Sequence, residues 1–400
     1  MKKTSKPIIG FLLAATSTGI MAGEFSGSKD ADVEEPKEKK KNEGDWCETL
    51  EDLGKVYREK DNRWIQRIVF SGRMHNQWGY TDGSDNGRDF SNDGYELRRL
   101  RLGVDIEFLD NFTFSTSANF NRGDFRDTSI GYDGLDQMVL EYDFDEIGPF
   151  DKVRIGYGRH KIGFGGEENM SSNQIKTIER SVLNDEFAGE RVTGFQGSFE
   201  VGDNIDFLWG VYSTDFSEKS LGSWDGGILY HLGTDFDLFD GHLDIQAIYS
   251  DASRSENEVY DYRWAVTATY ETEVGIFDLF TNFTYGEDYN GDAVYGFVVM
   301  PSTEIIKNKL EAVIRYQWAH SEDGDLRAQR RNTRLVAEGD FGFGIGLPDG
   351  EYNQNIYAGL NYFLCDDNAK AMFGVEYERN RGGGADTEAT TVWGGLRFYF

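Results

Sequence analysis

The charged side chains that could do chemistry in this chain crowd into one stretch. Residues 160–193 carry Lys161, Glu167, Glu168, Lys176, Glu179 and Arg180. The same stretch holds Ile162, Phe164, Met170, Ile175, Ile178, Val182, Leu183 and Phe187. A loop extended into water has no use for so many spaced apolar residues. A loop folded back and packed on a wall does. Its charges then face a confined passage where a permeating ion has lost water, so they weigh most on selectivity. The chemistry is ion selection rather than bond making.

Bond-making chemistry finds little support. The five histidines (His75, His160, His231, His242 and His320) lie far apart without metal-ligand spacing. Gly163-Phe164-Gly165-Gly166 lacks the Lys-Ser/Thr and the strand–loop–helix setting of a phosphate loop. Acidic clusters such as Thr81-Asp82-Gly83-Ser84-Asp85-Asn86-Gly87 read as solvated loops, and none has the spacing of a dedicated calcium loop. No enzymatic activity, cofactor or metal is expected. A net charge of -30 argues against a nucleic-acid partner.

The elements that must position these residues are strands. The last twelve residues place Thr390, Val392, Gly394, Leu396, Phe398 and Phe400 on one face and Trp393, Gly395, Arg397 and Tyr399 on the other. An apolar strand at the end of a chain leaves an aggregation-prone edge, which disappears if it pairs with the first strand of a closed barrel. Period-two segments recur at 64–80, 96–108, 112–121, 136–144, 152–159, 194–201, 205–212, 224–232, 241–251, 260–271, 274–285, 293–300, 309–321, 352–364, 370–379 and 389–400. Links after even-numbered segments are short, such as Leu109-Asp110-Asn111, Gly202-Asp203-Asn204 and Thr272-Glu273. Links after odd-numbered segments are mostly long and acidic, the asymmetry of outer-membrane barrels. Mean hydropathy is -0.57 and aromatics make 14%, as expected when only every second residue of a strand meets lipid.

The expected fold is all-β: a transmembrane antiparallel barrel of about 16 strands over residues 64–400, with a long inward-folded third loop at 160–193. Residues 1–22 read as a signal peptide, with Lys2, Lys3 and Lys6 ahead of an apolar core from Ile8 to Ala15. Residues 23–45 read as a flexible charged linker. Residues 46–62 read as a short periplasmic helical segment, with Trp46, Leu50, Leu53 and Tyr57 at helical spacing. The two cysteines, Cys47 and Cys365, neither demand nor forbid an oxidising compartment; a bridge would tie this pre-barrel segment to a late turn.

Several stretches resemble the phosphate-selective porin O and P family. Tyr95-Glu96-Leu97-Arg98-Arg99-Leu100-Arg101-Leu102-Gly103 looks like its hallmark second strand, and Val153 to Gly165 like the strand entering its constriction loop. Glu179-Arg180-Ser181 matches its Glu-Arg-Ser signature, and Gly194-Phe195-Gln196-Gly197, Gly359 to Leu364 and the Phe400 end also fit. The resemblance implies a sixteen-stranded, usually trimeric channel in a diderm outer membrane, whose lumenal arginines and loop lysines handle anions such as phosphate. The positions that could serve in this role are Arg73, Arg99, Arg101, Arg154, Arg263, Arg315 and Arg397 on inferred inward faces, with Lys161, Lys176 and Arg180 in the loop. Acidic residues also face inward by alternation, among them Asp105, Glu107, Glu141, Asp206, Asp244, Asp278, Glu311 and Glu376, and Glu167, Glu168 and Glu179 add to the loop. The expectation is passive diffusion of small ions or solutes through a water-filled pore narrowed by 160–193, with a weak or mixed ion preference. The partners expected are outer-membrane lipid, the permeating solute and two further copies of the chain. An adhesin or structural surface barrel without transport is the alternative.

Overall fold

The strand Tyr352–Cys365 shows how the sequence builds its wall. Asn353, Asn355, Tyr357 and Asn361 are buried; Tyr352, Ile356, Leu360, Tyr362 and Leu364 between them are exposed. Amides inside and large apolar groups outside invert the pattern of a water-soluble protein. They suit a wall whose outer face meets hydrocarbon.

A computed structural model describes residues 46–121, 125, 129–144, 146–202, 204–217, 219–337 and 347–400. The expected signal peptide and linker lie outside the described residues. The strands are β1 Lys55–Arg58, β2 Ile65–Asp85, β3 Arg88–Phe108, β4 Phe112–Asn121, β5 Ile130–Asp143, β6 Glu146–Ile147, β7 Phe150–Lys161, β8 Arg191–Val201, β9 Ile205–Ser213, β10 Ile228–Leu238, β11 Gly241–Ser250, β12 Tyr262–Val274, β13 Phe277–Asp288, β14 Ala293–Ile306, β15 Leu310–Ser321, β16 Tyr352–Cys365, β17 Ala369–Gly382 and β18 Ala385–Tyr399. β1 and β6 are short accessories. The other sixteen form a closed antiparallel barrel in which each strand pairs with its neighbours in sequence. β18 closes the wall against β2, from Tyr399↔Arg73 to Thr387↔Asp85. Phe400 and Gly72 extend the seam with reciprocal backbone hydrogen bonds of 3.1 Å. A Cβ on Gly72 would lie 2.1 Å from the Phe400 ring, so the seam needs glycine there.

All sixteen period-two segments lie on wall strands, with three corrections of extent. Thr81 to Asp85 is strand, not loop, and β2 joins β3 through Asn86 (φ 49) and Gly87 (φ 74), a two-residue hairpin. The eighth strand begins at Ile228, not 224. The helix expected over 46–62 is α1, Trp46–Asp52 only. Gly54 explains the stop. Its backbone lies against β2, where Phe70 N–H donates to Gly54 C=O at 2.8 Å and a Cβ would meet the Phe70 carbonyl at 1.8 Å. Lys55–Arg58 then pairs with Val69 to Arg67. A Cys47–Cys365 disulfide fixes α1 to the turn between β16 and β17.

Candidate functional site

Residues 162–190 leave β7 and return to β8 along the inner wall. Gly165 enters at φ 88, and a Cβ on Gly166 would lie 2.5 Å from Thr269 Cγ2 and 2.7 Å from the Phe280 ring. The glycine run therefore serves a left-handed turn and a close approach to β12 and β13. After α2 (Gly166–Asn169), Asn169 Nδ2 donates to Asp244 Oδ2 on β11 at 3.0 Å. Lys176 Nζ then reaches Ser302 Oγ on β14 at 2.6 Å and Glu311 on β15 at 3.0 Å. Asn361 on β16 and Lys370 on β17 donate to the carbonyls of Lys176 and Ile175. Ser181 caps α3 (Val182–Phe187) by accepting from Asn184 N–H. Leu183 N–H donates to Gln317 on β15, and Phe187 stacks on Tyr262 with centroids 4.4 Å apart. All eight spaced apolar residues of the segment are buried in the main core cluster. The loop thus follows the wall from β11 round to β3 and back.

The charges divide into two groups. Arg315, Arg397, Glu167, Glu179 and Arg180 are buried and hold the segment. Arg315 is fully buried; its guanidinium meets Glu167 (3.2 Å), Thr177 Oγ1 (3.1 Å), the Glu179 carbonyl (2.8 Å) and Glu376 (3.1 Å). Arg397 donates to the carbonyls of Ser172 (2.8 Å) and Ile178 (2.5 Å). Arg180 donates to those of Glu167 (2.7 Å) and Met170 (2.9 Å). Glu179 accepts from Arg98 (2.9 Å) and Gln77 (2.7 Å). Arg73, Arg99, Arg101, Lys161, Glu168 and Lys176 are half-buried instead. Arg73 donates to Ser172 Oγ, Arg101 pairs with Asp136 at 2.8 Å, and Lys161 pairs with Glu168 at 3.2 Å. Arg99 approaches His75 Nδ1 at 3.4 Å. Arg154 pairs with Asp143 at 2.6 Å, near the turn that precedes β7.

Arg263 corrects the strict alternation. It is exposed, because a bulge between Tyr262 and Trp264 shifts the register against β13. A second bulge hid a residue that matters. The β2–β3 register slips between His75 and Asn76, where Arg99 and Leu97 face them and Arg98 is left over. The bulge turns Arg98 to the same side as Arg99, onto Glu179.

A further element was missed. The loop after β15 contains α4 (Arg330–Ala337), which rests on the same wall. Arg331 pairs with Glu96 at 3.0 Å and lies 3.9 Å from Glu179. Asn332 Oδ1 accepts from Thr391, and Gln329 Nε2 donates to the Arg180 carbonyl at 3.1 Å. The sequence signal was Arg331-Asn332 followed one turn later by Leu335-Val336, all four buried.

On the opposite wall, Glu200, Asp206, Asp235 and Asp244 are successive cross-strand partners on β8 to β11. Lys152 meets Glu200 at 2.8 Å and His242 meets Asp235 at 2.5 Å. Like charges in one row repel, so this side is an acidic arc facing the arginine-bearing strands β2 and β3.

Titration bears on how the segment is held. Burial alone would raise the Glu168 carboxyl, but Arg180 and Lys161 outweigh it and hold it at about 2. Glu179 is likewise buried, yet Arg98 and Arg331 hold it far below the ordinary range. Burial raises Asp185 to about 6 and Glu186 to about 7. The first pair stabilises docking above an unfolded pKa of roughly 4.3 and loses that contribution as pH falls toward 2. The second pair favours docking when protonated and loses that contribution as pH rises from about 4 through 7. Protection of 162–190 from hydrogen exchange, corrected for intrinsic rates, should therefore peak near pH 4 to 5, roughly the unfolded carboxyl range. A monotonic profile would show that these carboxyls do not govern docking.

The family described as phosphate-selective porin O and P matches residues 69–272. No curated protein matches the chain. Among solved structures, the outer membrane channel DcaP of Acinetobacter baumannii is similar with a TM-score of 0.55 at 14% identity, covering 86% of this chain and 100% of that one. An anion-selective porin from Comamonas acidovorans has a TM-score of 0.55 at 10% identity, covering 83% and 99%. Pseudomonas putida OprB has a TM-score of 0.54 at 13% identity, covering 89% and 97%. At these identities the likeness is one of fold.

Proposed function

The chain belongs to the phosphate-selective porin O and P family and is a β-barrel of the bacterial outer membrane, and from that premise we propose that it is a passive diffusion channel narrowed by residues 162–190. Small hydrophilic solutes cross it without cofactor or energy input. The single observation that carries this reading is the circuit of hydrogen bonds and ion pairs fixing the segment to strands from β11 round to β3. We further propose a weak ion preference rather than a phosphate filter. Lys161 and Lys176, the loop lysines, already face Glu168 and Glu311. Arg180, Arg315 and Arg397 are occupied by backbone carbonyls and carboxylates. The half-buried Arg99 and Arg101 stand across from the acidic arc, so cations and anions each find a favourable side. In this reading three copies of the chain assemble as a trimer, as the family implies.

Planar-bilayer recording of the folded protein tests this. Stepwise conductance with a small reversal potential in a chloride gradient, little altered by phosphate, is the expected result. Arg99→Glu should move that potential toward cations, while Arg154→Ala, whose charge Asp143 already balances, should move it less. Folded protein without conductance steps would leave a surface barrel without transport as the better reading.

A further inference from the structure

The outer rim of the barrel carries a cluster that the channel reading does not use. Oxygens of Asp288, Asp292 and Asp323 all lie within 4.8 Å of one another. Asp288 and Asp292 bracket the β13–β14 hairpin, and Asp323 follows β15. A calcium ion binds oxygens at roughly 2.3–2.6 Å, so oxygens on opposite sides of one ion stand about 4.8 Å apart. The spacing suits a single ion.

These carboxylates line a cavity of about 80 Å³ together with Asp325, Asp261 and Glu186. Glu186 is the informative member. It belongs to α3 of the docked segment and is only 6% exposed. Its Oε1 accepts from Tyr262 at 2.8 Å, but its buried Oε2 has no hydrogen-bond partner. A buried carboxylate oxygen left without a partner is costly, and a cation in the cavity supplies one. Two arginines also line the cavity. Arg254 reaches Asp288 at 3.4 Å and Arg327 reaches Asp261 at 3.2 Å. Both are more than half exposed; Arg327 also attracts Glu186 through space, but neither donates a hydrogen bond to the buried Glu186 Oε2. Asp288 Oδ1 is fixed by the N–H groups of Asn290, Gly291 and Asp292, and Ser321 Oγ holds Asp323 and Asp325.

We propose that this cavity is a divalent-cation site of the calcium type, with Asp288, Asp292 and Asp323 as ligands and Glu186 on its inner wall. The ion ties the β13–β14 hairpin and the loop after β15 to the docked segment. It acts from the cell exterior, where millimolar calcium matches all-carboxylate sites with dissociation constants on the order of 10⁻⁴–10⁻³ M. The assignment does not depend on the permeating solute or on channel activity.

Equilibrium dialysis of the full-length, detergent-folded protein against calcium chloride tests it, with heat-modifiable electrophoretic mobility confirming a folded barrel in every variant. One ion per chain is expected. Asp292→Asn and Asp323→Asn, both on the rim and away from the wall, should each weaken binding about tenfold or more, as loss of a carboxylate ligand does. Glu186→Gln, which keeps the shape, should weaken it at least about threefold through the lost charge. Absence of saturable binding up to 10 times the millimolar range, or affinity unchanged in the folded aspartate variants, overturns the site. Affinity unchanged only in Glu186→Gln overturns the link to the docked segment.

Discussion

Arg315→Met should release the docked segment and raise single-channel conductance severalfold. The wild-type guanidinium is fully buried and binds Glu167, Thr177, the Glu179 carbonyl and Glu376 at 2.8–3.2 Å. It joins β15 and β17 to both ends of the 167–179 stretch. Removing one partner of a buried pair costs about 3–5 kcal/mol, because the surviving charge stays desolvated. Here two carboxylates, Glu167 and Glu376, lose their cation at once. Trp393 and Asn355 still donate to Glu376, so the wall survives. Glu167 sits on the loop and escapes by moving into water. The loop, not the barrel, gives way. Conductance recorded in bilayers, beside an unchanged heat-modifiable gel shift, checks both halves. Conductance equal to wild type would show that the segment does not narrow the passage.

Glu179→Ala has the second largest expected effect, and of a different kind. Glu179 accepts from Arg98 and Gln77 and lies 3.9 Å from Arg331. Its loss strands Arg98, while Arg331 keeps Glu96. One buried anion goes and a guanidinium on the inner wall becomes free. The reversal potential in a salt gradient should swing clearly toward anions, and phosphate should begin to block chloride current. The same change in Arg98→Ala should be absent, since that variant removes the cation and keeps Glu179. Matching anion preference in both variants would mean that Arg98 does not face the ion path.

The contrast between these two residues shows what the sequence made legible. Arg315 is buried against the loop, on the face that alternation along a regular strand assigns it. Glu179 was recognised from a short signature. Its partner Arg98 was not, because alternation assigns it to the lipid side with Leu100 and a one-residue bulge overrides that assignment. The same effect put Arg263 on the wrong face. Barrel order was legible because every wall strand pairs with its sequence neighbour, so local periodicity and link length suffice. The length of β2 and β3 was not. Thr81 to Asp85 has loop composition, yet each residue faces one partner on β3 and another on β18. Pairing on both sides overrides local propensity. α4 escaped because its buried face is half polar, with Arg331 and Asn332 beside Leu335 and Val336. A helix that docks on an amide-lined interior does not need an apolar stripe. The rim aspartates come from two loops, the β13–β14 hairpin and the one after β15, and no spacing rule reaches from one to the other.

The Cys47–Cys365 bond spans 318 residues and so encloses almost the whole wall in one covalent ring. A surface protease that nicks a single outer loop inside that ring cannot separate the molecule into pieces, even after the strands come apart. The cut ends remain on one closed tether until a thiol opens it. Damage on the cell's exterior thus leaves the subunit a single covalent object, and only the redox state of the space beneath the membrane decides whether it can be dismantled.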